Sequence, residues 1–189
     1  MSTTNQKQKH FNVKRLVLNA VLIALYYALG FWRIPIGNVL RISVAPFSVI
    51  LCALAFGPVD GLIVGLLGEF LTQVLGPYGL TPTTLLWCLG ESVRGLTLGL
   101  MARLVMKKGF DHNAKRIVAV LAACVVTGIL NSLCNTLALY VDSKMFGYYS
   151  YAMVFGALLT RLVLSVVTSG VLGYLALPVI SALRRAKMI

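Results

Sequence analysis

The chain has 189 residues, a mean hydropathy of +0.88, 59% hydrophobic residues and only 12% charged ones. A soluble domain carries about a quarter charged residues to build its polar shell, so these figures exclude one and point to a single integral-membrane domain over residues 1–189. The net charge of +12 raises nucleic acid as a partner, and the placement of the charge removes it. Lys7, Lys9, Lys14 and Arg15 precede the first apolar run; Arg103, Lys107, Lys108, Lys115 and Arg116 share one connection; Arg184, Arg185 and Lys187 close the chain. Cations flanking apolar runs are the positive-inside pattern of cytoplasmic loops. A basic stripe interleaved with aromatics, as nucleic-acid binders use, is absent.

Residues 1–12 read as a polar, basic cytoplasmic tail. A long apolar run follows in place of a short core with a cleavage site, so the first helix is expected to be retained. A hydrocarbon core of about 30 Å takes roughly 20 helical residues to cross. On that measure six segments are predicted, making an all-α membrane protein with six transmembrane helices and both termini cytoplasmic. They run over about 13–31, 44–56, 57–75, 83–106, 114–140 and 149–183. The second and third are short and nearly fused, which fits a tilted or partly re-entrant pair.

Three loops are then expected on the outer face. The first holds Arg33, Pro35, Gly37, Asn38 and Arg41; the second is "GPYGLTP"; the third holds Asp142, Lys144, Phe146, Tyr148, Tyr149 and Tyr151. Arg33 and Arg41 run against the positive-inside bias. Either they meet an anionic ligand or they snorkel to lipid phosphate.

Catalytic chemistry finds no support. His10 and His112 lie in cytoplasmic flanks, there is no GxxxxGK[ST] phosphate loop, and no acids pair at a catalytic spacing. Cys52, Cys88, Cys124 and Cys134 all fall inside apolar runs without metal-ligand spacing, as small hydrophobes do. No enzyme activity, metal or cofactor is expected. The ionisable residues assigned to the membrane are Glu69, Glu91, Arg94 and Arg161. Each costs about 2.5–3.5 kcal/mol near the bilayer centre and by default suggests a functional site. The structural alternative is mutual neutralisation, Glu91 with Arg94 and Glu69 with Arg161.

Trp87, Glu91 and Arg94 follow an i, i+4, i+7 pattern and so share one helix face. Asn131 and Asn135, four apart, share a face of the fifth helix, either as interhelical hydrogen bonds or as ligand contacts. Arg161 is expected about three turns below the outer end of the sixth helix, at the depth of Glu91. Helices four to six can thus converge on a polar pocket. Ala20, Ala24 and Ala28 form a small-residue stripe, joined by the pairs Gly61/Gly65 and Gly95/Gly99. Such stripes serve close packing or docking of another membrane subunit.

The basic N-terminus, "AVLIALYYALG", "FWRIPIGNVLRIS", "FGPVDGLIVGLLGEFL" and "WCLGESVRGL" together resemble a substrate-binding S component of an energy-coupling-factor (ECF) vitamin transporter, most closely the folate-specific group. The resemblance covers nearly the whole chain. It implies a six-helix fold with a vitamin pocket at the outer side, built from helices four to six and capped by loops. It implies a membrane coupling subunit and two cytoplasmic ATPases as partners, with Ala20, Ala24 and Ala28 docking on the coupling subunit. Folate fits the residues. Glu91 would read the pterin edge, Trp87, Phe155 or Tyr78 would stack on its rings, and Arg33 and Arg41 would clamp the charged tail. Arg94 and Arg161 would bind substrate or orient Glu91. The alternatives are an S component for pantothenate, riboflavin or a pyrimidine precursor, and a small channel or structural subunit whose four charges simply pair.

Overall fold

The computed structural model describes residues 13–36, 40–77, 79–105 and 114–186, with the side chains of 33–36, 40, 41, 114 and 116 outside that description. Six α-helices follow one another: α1 (Val13–Gly30), α2 (Pro46–Phe56), α3 (Pro58–Val74), α4 (Thr84–Val105), α5 (Ala114–Met145) and α6 (Leu158–Arg185). Among the described residues four stretches are long and apolar enough to cross a membrane: Val13–Gly30, Thr84–Val105, Ile117–Met145 and Ala152–Arg185. At 1.5 Å per residue the 11-residue α2 rises about 16 Å, half a hydrocarbon core. Its apolar side chains are buried on every side, Val49, Ile50, Cys52 and Ala53 almost completely, as a helix that is hydrophobic all round requires. It is a central pillar packed by α1, α3, α4 and α6.

The first loop is not irregular. Residues Arg33–Ile36 (β1) and Leu40–Ser43 (β2) pair antiparallel, Arg33 opposite Ser43 and Pro35 opposite Arg41. The helical framework expected from the sequence is present, and among the described residues its first loop carries this hairpin. Its signal was present as two four-residue runs around Gly37-Asn38, a turn dipeptide. Pro35 is tolerated because a two-stranded sheet has only edge strands.

α2 and α3 are joined through Gly57 alone, whose φ of 102° suits glycine. α3 and α4 then meet through glycines. A Cβ at Gly95 would stand 2.1 Å from the Gly61 carbonyl oxygen, and one at Gly65 would stand 2.4 Å from that of Glu91. A Cβ at Gly99 would meet the Pro58 backbone at 2.4 Å. The two glycine pairs read from the sequence are therefore halves of one seam in which backbone lies on backbone.

A polar cluster shared by α4 and α5

The chain of cause begins with Gly90. A Cβ there would lie 2.5 Å from both Asn131 Oδ1 and Asn135 Oδ1, so its absence lets α5 press two amides against α4. One helical position on, Glu91 Oε1 accepts from Asn131 Nδ2 at 3.1 Å and lies 3.3 Å from Arg94 Nη1. Glu91, Arg94 and Asn131 are 7%, 5% and 5% exposed. Three of their buried polar atoms have no protein partner: Glu91 Oε2, Asn131 Oδ1 and Arg94 Nε. Buried polar atoms are nearly always hydrogen-bonded. Two acceptors and one donor left over in one cluster are suited to a bound polar group. Among the described residues no group of three His, Cys, Asp or Glu is placed to hold a metal ion.

The end of the bundle that carries the hairpin is tied above this cluster. Thr83 caps α4, its carbonyl accepting from Leu86 and Trp87, while its hydroxyl donates to Asp142 of α5. Tyr148 donates to the other Asp142 oxygen. Around it stand Tyr140, Tyr149, Tyr151 and Phe155, with Lys144 Nζ 4.1 Å from the Tyr149 ring centre. α6 is preceded by a π-helical turn, Ala152–Gly156. Arg161 braces that turn by donating to the carbonyls of Met153 at 3.1 Å and Val154 at 3.4 Å.

The sequence-predicted residues are thus sorted. Glu91, Arg94 and Asn131 come together, with Asn135 on the same face of α5. Trp87 is half-buried one turn nearer the hairpin, and Phe155 stacks in the aromatic group. The alternative that pairs Glu69 with Arg161 is not realised. Glu69 Oε2 accepts from Tyr26 at 2.6 Å and Oε1 from Gln73 at 2.8 Å, because α3 packs on α1, α2 and α4 while α6 packs on α5 and α2. Arg33 and Arg41 lie in the hairpin by their strand positions, and their side chains lie outside the described residues, as does Tyr78. Ala20, Ala24 and Ala28 are all exposed, on the face of α1 turned away from Asn19, Leu22 and Tyr26.

Sequence reading missed a second polar cluster at the opposite end. Arg15 pairs with Asp60 and donates to the Phe56 carbonyl at 3.1 Å, and Asn19 Nδ2 donates to Asp60 Oδ1 at 2.7 Å. Arg15 had been read as a flank cation; an acid inside "GPVDG" was the signal that it needs a partner. A cleft of about 250 Å³ also lies at this end, lined by Phe56, Gly57, Gly99 and Arg103 among others, away from Glu91.

Residues 10–185 match the family model described as the ECF-type riboflavin transporter, S component. The chain belongs to that family. This S component is 32% identical over 97 residues to a UPF0397 protein of Streptococcus pneumoniae (strain CGSP14), covering 50% of the chain and 51% of the relative. It therefore spans about half the length of that relative. It is 30% identical over 127 residues to a UPF0397 protein of Streptococcus pneumoniae serotype 19F (strain G54), covering 64% and 68%. Two solved structures share the fold. One, described as "Structure and mechanism of the S component of a bacterial ECF transporter", superposes with a TM-score of 0.62 at 23% identity, over 90% of this chain and 98% of the other. The second, the S-component for biotin from an ECF-type ABC transporter, gives 0.59 at 15% identity over 93% of each.

Proposed function

We propose that the chain is the folate-binding subunit of an ATP-driven importer in the cytoplasmic membrane, working with a membrane coupling subunit and two cytoplasmic ATPases. The observation that carries the substrate is the unpartnered set at the α4–α5 cluster. A pterin edge offers two N–H donors, on N3 and the 2-amino group, beside one carbonyl acceptor. Glu91 Oε2 and Asn131 Oδ1 are two acceptors and Arg94 Nε is one donor, which is the complement of that edge. In this reading Asn135 extends the amide face, and Trp87, Tyr78 and Phe155 stack on the rings. Arg33, Arg41 and Arg161 meet the carboxylates of the tail, where bidentate pairing gives both energy and orientation. Both termini face the cytoplasm and the hairpin end faces outward. The exposed faces of Ala20, Ala24 and Ala28 dock the coupling subunit, since small side chains let two helices approach closely.

Riboflavin is the second reading, favoured by the description of the family model. Its pyrimidine edge is acceptor, donor, acceptor and uses the unpartnered set less completely. Equilibrium binding of folic acid, riboflavin and pantothenate to the purified chain separates the readings. Folic acid is expected to bind below micromolar and at least about tenfold tighter than the others. Tight riboflavin binding with none of folic acid overturns the substrate, and uptake by the chain alone in liposomes, without ATPases, overturns the importer.

A further inference from the structure

We propose that the Tyr26–Glu69 hydrogen bond couples the state of the Glu91 cluster to the exposed alanine face of α1, so that Tyr26 and Glu69 are positioning residues for partner association; this rests on the reading that the alanine face docks a membrane subunit. α1 has two faces. Asn19, Leu22 and Tyr26 point into the bundle, while Ala20, Ala24 and Ala28 point out. Tyr26 is 3% exposed, and its ring lies on α3 where a Cβ at Gly68 would stand 2.7 Å from the ring carbon Cγ. Its hydroxyl donates to Glu69 at 2.6 Å, and the second Glu69 oxygen is held by Gln73 of the same helix, which fixes the carboxylate. One turn back along α3, Gly65 meets the backbone of Glu91 itself, a Cβ there falling 2.4 Å from the Glu91 carbonyl oxygen.

Between the outward face of α1 and the backbone of Glu91 lie Tyr26, packed with Leu22 and Val64, and one turn of α3; Tyr26 is the side chain whose hydroxyl bonds α1 to Glu69. A backbone-on-backbone contact has no rotamers with which to absorb a displacement, and close-packed interiors transmit strain. A shift of α4 at Glu91 moves α3 at Gly65, and Tyr26 carries that movement into α1. The far end of α1 behaves differently. Arg15 and Asn19 hold it to Asp60 and the Phe56 carbonyl. α1 is thus anchored near its first turn and tethered near its last by one bond to a carboxylate. Both attachment points belong to α3, so a pivoting of α3 about its Asp60 end swings Glu69 and, through Tyr26, tilts the alanine face of α1.

Tyr26→Phe keeps the ring on Gly68 and removes only the bond. Three measurements on the full chain test the proposal: folic acid and riboflavin affinity in detergent, ATP-driven uptake with the coupling subunit and ATPases in proteoliposomes, and hydrogen exchange of residues 20–28 with and without ligand. The variant is expected to bind within about threefold of the parent, to lose about tenfold in uptake, and to lose the ligand-dependent change in α1 exchange. Glu69→Leu and the double variant are each expected to match Tyr26→Phe, since two changes that break one bond are not additive. Should Glu69→Leu fail to fold, Tyr26→Phe alone decides. Parental uptake by Tyr26→Phe, or a loss of ligand affinity as large as the loss of uptake, overturns the coupling. Absence of any ligand binding or uptake by the parent chain instead defeats the functional reading, and the coupling falls with it.

Discussion

Asp60 and Glu91 each meet an arginine and an asparagine inside the bundle, yet their oxygens end in different states. Asp60 spends Oδ1 on Asn19 and Oδ2 on Arg15. Glu91 places Asn131 and Arg94 on the same atom, Oε1, and leaves Oε2 without a protein partner. The difference follows from where the partners start. Arg15 and Asn19 lie four apart on α1 and approach a carboxylate on another helix, so they flank it and fill both oxygens. Arg94 reaches Glu91 along its own helix at i+3 while Asn131 arrives from α5, and both converge on one oxygen. Identical residue types thus make a staple in one place and, in the other, the open carboxylate proposed as the receptor. A buried carboxylate is informative through the oxygen it has left over.

The contrast can be broken at either end. Glu91→Gln carries the largest expected effect, about 100-fold weaker folic acid binding, because a hydrogen bond to a charged group is worth about 1.5–3 kcal/mol; isothermal titration reads it. Next comes Asp60→Ala, expected to lower unfolding stability in detergent by about 2 kcal/mol while leaving affinity within about twofold. Losing one partner of a fully buried pair costs about 3–5 kcal/mol, and the partial exposure of Arg15 reduces that. If Asp60→Ala weakened binding as much as Glu91→Gln, the division into staple and receptor would be wrong. The smallest effect belongs to Thr83→Val, about 1 kcal/mol of stability for the lost hydroxyl bonds to Asp142 and Thr81. Thermal unfolding followed by tryptophan fluorescence would register it.

What the sequence revealed was whatever lies on one helix. Glu91 and Arg94 pair at i+3 because that spacing places them together regardless of the rest of the fold, and Asn131 and Asn135 share a face for the same reason. Adjacency between helices was hidden. Charge alone offers Arg161 as one partner for Glu69, whereas the helix packing gives it Tyr26, a neutral residue that no charge count selects. Arg15 reads as a flanking cation in the sequence, and only the packing of α1 on α3 pairs it with Asp60. The hairpin was legible in its two short runs and went unread because the surrounding chain is so strongly helical. The glycine pairs were read as stripes, but only the packed helices show that they face each other.

That seam has a consequence for how proteins of this architecture can vary. Every side chain added along Gly61, Gly65, Gly95 or Gly99 would meet backbone at under 3 Å, and overpacking costs about 1–3 kcal/mol or more. Mutation therefore has almost no neutral ground on the facing sides of α3 and α4. Under the proposed binding role, changes of substrate have to be explored elsewhere, on α5, on the turn before α6 and on the hairpin, while Glu91 keeps its place on an unchanging wall. A receptor built this way can diversify its ligands without renegotiating its frame.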